Sequence, residues 1–338
     1  MRVRTGLSRR RMLGIAGAAG GVLIAGGVRG TWAQTGKRIE QFAPELDQIL
    51  SASEPIEQLG TGLGGGANAE GPVWWKEGGY LLFSSIGDSK RMKYTPGQGL
   101  SVAKEGTNGA NGLTRDLQGR LVACEGLTRR VTRQELDGSM TVIAHSFQGR
   151  RLNKPNDVVV RSDGCVYFTD PWNLAYAPDQ TDLSYNGVYR VTPDLGTISL
   201  LIDTLIIPNG IAFSPDESIL YINDSRRGEI RAYDLLASGM LARQSERVFV
   251  DLRGSEPGGP DGMKVDVAGN VYCGGSGGIY IVDPKGKKLG RIVHGQPQTT
   301  NIAFGGDDWK TLYFTTRTTL NAVKLKIAGS PVPAVKKS

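Results

Sequence analysis

One phrase recurs six times between residues 70 and 316: a polar residue, a short apolar run, a turn and a second apolar run. The copies begin at Glu70, Asn111, Asn156, Asn209, Asp261 and Asn301, at spacings of 41, 45, 53, 52 and 40 residues. A period of roughly 40–50 residues with several strands per unit predicts a β-propeller. No unit of this size buries both faces alone, so one domain rather than several is expected. The fold class is therefore all-β, a six-bladed propeller with a central metal site. In a closed ring, equivalent positions converge on one axis. Here all six carry an oxygen donor, a carboxylate or an amide.

The strand reading rests on alternation. Met263, Val265 and Val267 are apolar while Lys264 and Asp266 between them are polar, the period of a half-buried strand. Asp163-Gly164, Gln118-Gly119, Pro215-Asp216 and Ala268-Gly269 supply turn chemistry. Residues 187–191 and 278–282 read as outer strands, and 320–326 as the last strand. No amphipathic helix of useful length follows residue 55, which argues against Rossmann, barrel and α/β-hydrolase scaffolds. The domain layout expected is a signal segment over 1–33, a lead-in over 34–69, a propeller over 70–327 and a flexible tail over 328–338. Within the lead-in, Pro44 to Leu50 predicts a short helical turn.

The formal charge of +7 is a property of the N-terminus. Residues 1–33 hold six arginines and no acid, which leaves the remainder at +1. A near-neutral body gives no electrostatic case for nucleic acid or an anionic membrane. Ser8-Arg9-Arg10-Arg11-Met12-Leu13 is a twin-arginine pattern, followed by an apolar Gly/Ala-rich run to Val28 and small residues before Ala33. That run is shorter than the roughly 20 residues a spanning helix needs. The pattern predicts export after folding by the twin-arginine machinery to the bacterial periplasm or the medium, without stable membrane insertion after processing; a retained anchor is the alternative. Cys124, Cys165 and Cys273 show no metal spacing and read as small buried residues, with one disulfide among them left open.

Only two histidines exist, His145 and His294, and neither sits in a cluster with zinc-ligand spacing. Gly274-Gly275-Ser276-Gly277-Gly278 matches the G-x-S-x-G string but lies between two strands, so it reads as a glycine hairpin rather than a nucleophile elbow. The ring of oxygen donors is the stronger signal. Glu70 and Asp261 bring two negative charges, and Asn156 and Asn209 bring neutral carbonyl oxygens. A hard divalent cation, chiefly Ca²⁺, prefers that set, with Zn²⁺, Mg²⁺ and Mn²⁺ as alternatives. Such an ion with open positions polarises a carbonyl or phosphoryl oxygen, and a neighbouring carboxylate takes the proton of an attacking water. Esters, lactones and phosphotriesters all suit that chemistry. A metal-stabilised binding propeller without turnover is the reading from another class.

The residues also carry a family resemblance. Glu70-Gly71-Pro72-Val73-Trp74, Asn111-Gly112-Leu113, Arg151-Leu152-Asn153-Lys154-Pro155-Asn156-Asp157, Pro208-Asn209-Gly210-Ile211-Ala212-Phe213, Pro260-Asp261-Gly262-Met263 and Asn301-Ile302-Ala303-Phe304 occur in order over roughly residues 40–328. The chain resembles the gluconolactonase, regucalcin and luciferin-regenerating-enzyme group. The resemblance implies a six-bladed propeller with one catalytic divalent metal on Glu70, Asn156, Asn209 and Asp261. Asp261 is also the general base it favours. Asn111 falls at a pocket position, Lys154 where some members carry a substrate-contacting Arg, and Asn301 is grouped with them as substrate-binding. The implied activity is hydrolysis of sugar lactones to aldonic acids. Glu125-Gly126-Leu127-Thr128 and Asp170-Pro171-Trp172-Asn173 depart from the family pattern at the channel mouth. Trp172 and Tyr176 read either as one wall of the pocket or as cover for a blade edge.

Overall fold

The computed structural model describes residues 36–172 and 181–333. The twin-arginine segment and Tyr176 lie outside the described residues. Six antiparallel sheets form the blades of a propeller, each running outward from an inner strand. The inner strands are Ala69–Trp75, Ala110–Arg115, Val158–Val160, Pro208–Phe213, Met263–Val265 and Thr299–Gly305 in blades 1 to 6. The second strands are Tyr80–Ser85, Leu121–Glu125, Val166–Asp170, Ile219–Asp224, Val271–Gly275 and Thr311–Thr316. Two further strands complete each blade, Gly187–Val191 and Gly278–Val282 being third strands in blades 3 and 5.

The turns at the base of the blades follow from single side chains. Asp116, Asp163, Asp216 and Asp266 each accept backbone N–H groups from two or four residues ahead, at 2.9–3.1 Å. These Asx turns reverse the chain with bonds made inside the turn itself. The apolar faces then meet between blades. Trp74 of blade 1 stacks on Tyr313 of blade 6 at 5.5 Å, and Tyr272 of blade 5 meets Phe304 of blade 6 edge-on at 5.1 Å.

The segment ahead of the repeats does more than lead in. Glu57–Thr61 pairs with Thr319–Lys324 and supplies the outermost strand of blade 6, so the last blade is built from both ends of the ring. Arg38–Gln41 adds a fifth strand to blade 5. The expected helical turn is a 3₁₀ turn over Pro44–Gln48, with Leu46, Ile49 and Leu50 buried. The propeller thus starts well before residue 70. The described part of the expected tail is seated as well: Gly329 bridges to Asp266, and the Ser330 N–H donates to the Val265 carbonyl at 3.1 Å. Period alone misses such strands because they carry no copy of the repeated phrase. Cys124, Cys165 and Cys273 are all buried as free thiols. Among the described residues no helix is long and apolar enough to cross a membrane.

His294 is buried where blade 5 passes into blade 6. The Gln296 N–H donates to its Nδ1 at 3.2 Å, so the proton sits on Nε2 and faces the Thr299 hydroxyl at 2.6 Å. Burial, with a smaller effect of Lys37, pulls its pKa down from 6.5 to about 4. The unfolded chain binds a proton there from about pH 6.5, while the folded chain refuses it until about pH 4. No penalty exists above pH 6.5, and one accumulates as pH falls through that window, reaching about 3 kcal/mol. Urea midpoints should therefore fall between pH 6.5 and 4 by that much more in the wild type than in His294→Gln. Equal slopes in the two proteins would remove this role from His294.

Candidate metal and active site

The site begins with a main-chain arrangement. Four ligand-phase residues, Asn111, Asn156, Asn209 and Asp261, turn their carbonyls into the preceding blade. Ser84 Oγ of blade 1 donates to the Asn111 carbonyl at 2.8 Å, and Thr169 Oγ1 of blade 3 donates to the Asn209 carbonyl at 2.7 Å. Asn223 Nδ2 of blade 4 donates to the Asp261 carbonyl. The Gly112 N–H does the same for the Asn156 carbonyl at 2.8 Å. Thr300 Oγ1 of blade 6 closes the circle on the Ala69 carbonyl at 2.6 Å. With their carbonyls bound, these residues aim their side chains at the axis.

Such close approach leaves no room for a Cβ on the next residue. A Cβ on Gly71 would stand 2.2 Å from the Asn111 carbonyl oxygen, one on Gly112 2.5 Å from that of Asn156, and one on Gly210 2.3 Å from that of Asp261. This is the physical content of the repeated Glu-Gly and Asn-Gly pairs.

The next position outward anchors the loops. Asp170, fully buried, accepts the Asn153 N–H at 2.7 Å and that of Lys154, which fixes the turn into Asn156. Burial raises its pKa to about 7 against the pull of those two N–H groups and Arg129. Asp224, also fully buried, accepts the N–H groups of Ile206 and Ile207 at 2.7 and 3.2 Å ahead of Asn209. Glu125 is pushed up by burial, yet bonds from Thr128, Arg130, Thr132 and Asn108 more than reverse this and hold it below the usual carboxylate range. Its carboxylate braces the 126–129 turn rather than the pocket. The lysine stem passes close over that turn, since a Cβ on Gly126 would meet Lys154 Cε at 2.9 Å.

A cavity of about 590 Å³ opens over this ring, lined by Glu70, Asn111, Lys154, Asn156, Asn209 and Asp261 together with Asn68, Ser225, Gln298 and the apolar Ile86, Pro171 and Ile207. Six of the seven residues singled out from the sequence thus share one pocket. Asn301 does not line it. Its side chain is buried beneath, where Nδ2 faces Asp157 Oδ2 at 3.4 Å, and it also bonds Glu70. Gln298 was not marked by repeat phase, yet its Nε2 donates to Asp261 Oδ2 at 3.2 Å while the Gly262 N–H holds Oδ1 at 3.1 Å. Trp172 lies outside the cavity lining, with the Arg129 guanidinium 5.6 Å from its ring. Ser276 of the G-x-S-x-G string sits in the hairpin joining Val271–Gly275 to Gly278–Val282 and donates to the Glu256 carbonyl at 2.7 Å. It forms no nucleophile elbow.

The donor set fits a hard cation. Asn111, Asn156 and Asn209 each bury an Oδ1 that has no hydrogen-bond partner. An unpaired buried carbonyl oxygen is costly. Beside them stand two carboxylates starved of water. Burial, then Asp261 and Asp157, hold the Glu70 pKa well above the usual range. Burial chiefly, with Asp157 adding and Gln298 and Asn209 opposing, raises Asp261 to about 8. A divalent ion would satisfy the Asn156 and Asn209 oxygens and both charges together, leaving that of Asn111 to a substrate hydroxyl. Among the described residues no group of three or more His, Cys, Asp or Glu offers a softer site.

Comparison with known proteins places the chain. The SMP-30/Gluconolactonase/LRE-like region family matches residues 68–318. The chain belongs to that family. It is 33% identical over 316 residues to the gluconolactonase of Zymomonas mobilis, covering 86% of this chain and 87% of that protein. A Xanthomonas campestris gluconolactonase structure superposes with TM-score 0.76 at 30% identity, over 85% of this chain and 95% of that one. The calcium-binding regucalcin of Agrobacterium tumefaciens shares the fold at 19% identity and TM-score 0.67, over 81% and 95% of the two chains. This family member is an enzyme, a lactone hydrolase.

Gly71→Ala should cost stability twice, through its φ of +54° and through the Asn111 carbonyl. Gly79 has a similar φ of +63°, but a methyl there would meet nothing within 4 Å, so Gly79→Ala isolates the backbone cost of about 1–2 kcal/mol. Denaturant midpoints should place Gly71→Ala at least ~1 kcal/mol below Gly79→Ala. Equal losses would mean the blades yield freely at the ring.

Proposed function

We propose that this lactone hydrolase holds one divalent cation, Ca²⁺ in preference to Zn²⁺, Mg²⁺ or Mn²⁺, on Glu70, Asn156, Asn209 and Asp261, and opens sugar lactones to aldonic acids. The observation that carries this is the set of unpartnered amide oxygens facing two buried carboxylates at the floor of an open pocket. A pocket of this size over the ring favours turnover above a purely structural ion. The description of the Agrobacterium relative as calcium-binding supports the choice of metal.

A bound cation supplies Lewis acidity toward a lactone carbonyl oxygen. Asp261 takes a proton from water as the water oxygen bonds to the carbonyl carbon. Gln298 and the Gly262 N–H fix the orientation of that carboxylate. Breaking the ring C–O bond then releases an alkoxide, which recovers the proton from Asp261. One water is consumed, and a hydroxy acid leaves. Asn111 and Lys154, on the pocket wall, orient the ring hydroxyls. The Arg9-Arg10 signal supports export after folding, hence a periplasmic or secreted enzyme.

Acid release from a panel of aldonolactones should vanish with chelator and return with Ca²⁺. Asp261→Asn should lower kcat about 10²–10⁴-fold with the fold retained by circular dichroism. Retained turnover in that variant would strip Asp261 of its role as base, and chelator-resistant turnover would remove the metal.

A further inference from the structure

The residue that follows each ligand-phase position reads Gly71, Gly112, Asp157, Gly210, Gly262 and Ile302 around the ring. Blade 3 alone places a charge where most blades have no side chain at all. Asp157 is 1% exposed. Its Oδ1 accepts the Val158 N–H at 2.9 Å, and its carboxylate also takes the Ile211 N–H of blade 4. Its Oδ2 faces Asn301 Nδ2 of blade 6 at 3.4 Å, and Asn301 in turn bonds Glu70. The cation that acts on Asp157 is Lys264 of blade 5, whose Nζ donates to the Met263 carbonyl at 3.0 Å. Asp157 lines no part of the pocket, so neither substrate nor solvent accounts for a carboxylate there.

We propose that Asp157 is a positioning residue of the cation centre, a third carboxylate that binds no ion itself but, balanced by Lys264, sets the charge of the centre and steadies Glu70 through Asn301. This rests on the metal centre proposed above. Glu70, Asp261 and Asp157 against Lys264 leave two negative charges, which a divalent ion cancels. The same charges strain the ion-free ring, because Asp157 repels both Glu70 and Asp261. Groups that orient ligands from behind change metal affinity by about 10–100-fold when removed.

The test is Ca²⁺ titration by calorimetry on the full chain after chelator treatment, with Tb³⁺ as a trivalent probe. Asp157→Asn should bind Ca²⁺ about 10–100-fold more weakly. Lys264→Met, which leaves the centre one charge more negative, should bind Ca²⁺ more tightly and gain more for Tb³⁺ than for Ca²⁺. The double variant restores the original charge and should return to within a few-fold of wild type, whereas a purely structural role makes the two losses add. Wild-type affinity in Asp157→Asn, or a double variant that binds Ca²⁺ more weakly than Asp157→Asn alone, would overturn the proposal. Should Asp157→Asn fail to fold, an unchanged Ca²⁺ affinity and ion preference in Lys264→Met would overturn it alone. A wild-type chain that binds Ca²⁺ nowhere would instead overturn the metal centre itself, and this inference with it.

Discussion

Everything at the axis depends on where the backbone carbonyls of the ring go. A residue in a strand normally spends its carbonyl on its own sheet. Here those of Asn111, Asn156, Asn209 and Asp261 are taken by the blade before, through Ser84, Gly112, Thr169 and Asn223. The main chain is thereby satisfied by the neighbour, and the side chain is released toward the channel. The same contacts tie blade to blade, so closing the ring and building the site are one event. The glycines of the repeated phrase are the steric condition for it.

The electrostatic consequence is a site strained without a guest. Burial makes each of Glu70, Asp157 and Asp261 harder to ionise. Meanwhile three amide oxygens lie buried and unpaired. Each such unpaired oxygen costs about 1–3 kcal/mol. A small cation, as proposed above, would recover that cost at Asn156 and Asn209.

Residue phase made much of this visible early. Glu70, Asn111, Asn156, Asn209 and Asp261 share a pocket because equal phase in a ring means equal distance from the axis. Asn301 has the same phase yet turns under the floor, where it bonds Asp157 and Glu70. A Cβ on Gly262 would stand 1.9 Å from Asn301 Cγ, so the two are packed directly together. Gln298 and Ser225 come from loops outside the repeated phrase, and no periodicity could mark them. The strands Glu57–Thr61 and Arg38–Gln41 were hidden for the same reason.

The sequence by itself determined the number of blades, the phase of the oxygen donors, the chemistry of the turns and the glycine after most of those donors, because these are local and repeat. Tertiary structure alone decided which donors face the pocket and which lie beneath it, how the ends of the ring share blade 6, and that Asp157 becomes the meeting point of four blades. Those outcomes depend on contacts between residues more than a hundred positions apart, such as Asp157 with Asn301 and Glu57 with Ala322. Nothing in a strand's own pattern encodes what a distant blade will press against it; only closure of the ring brings the two together.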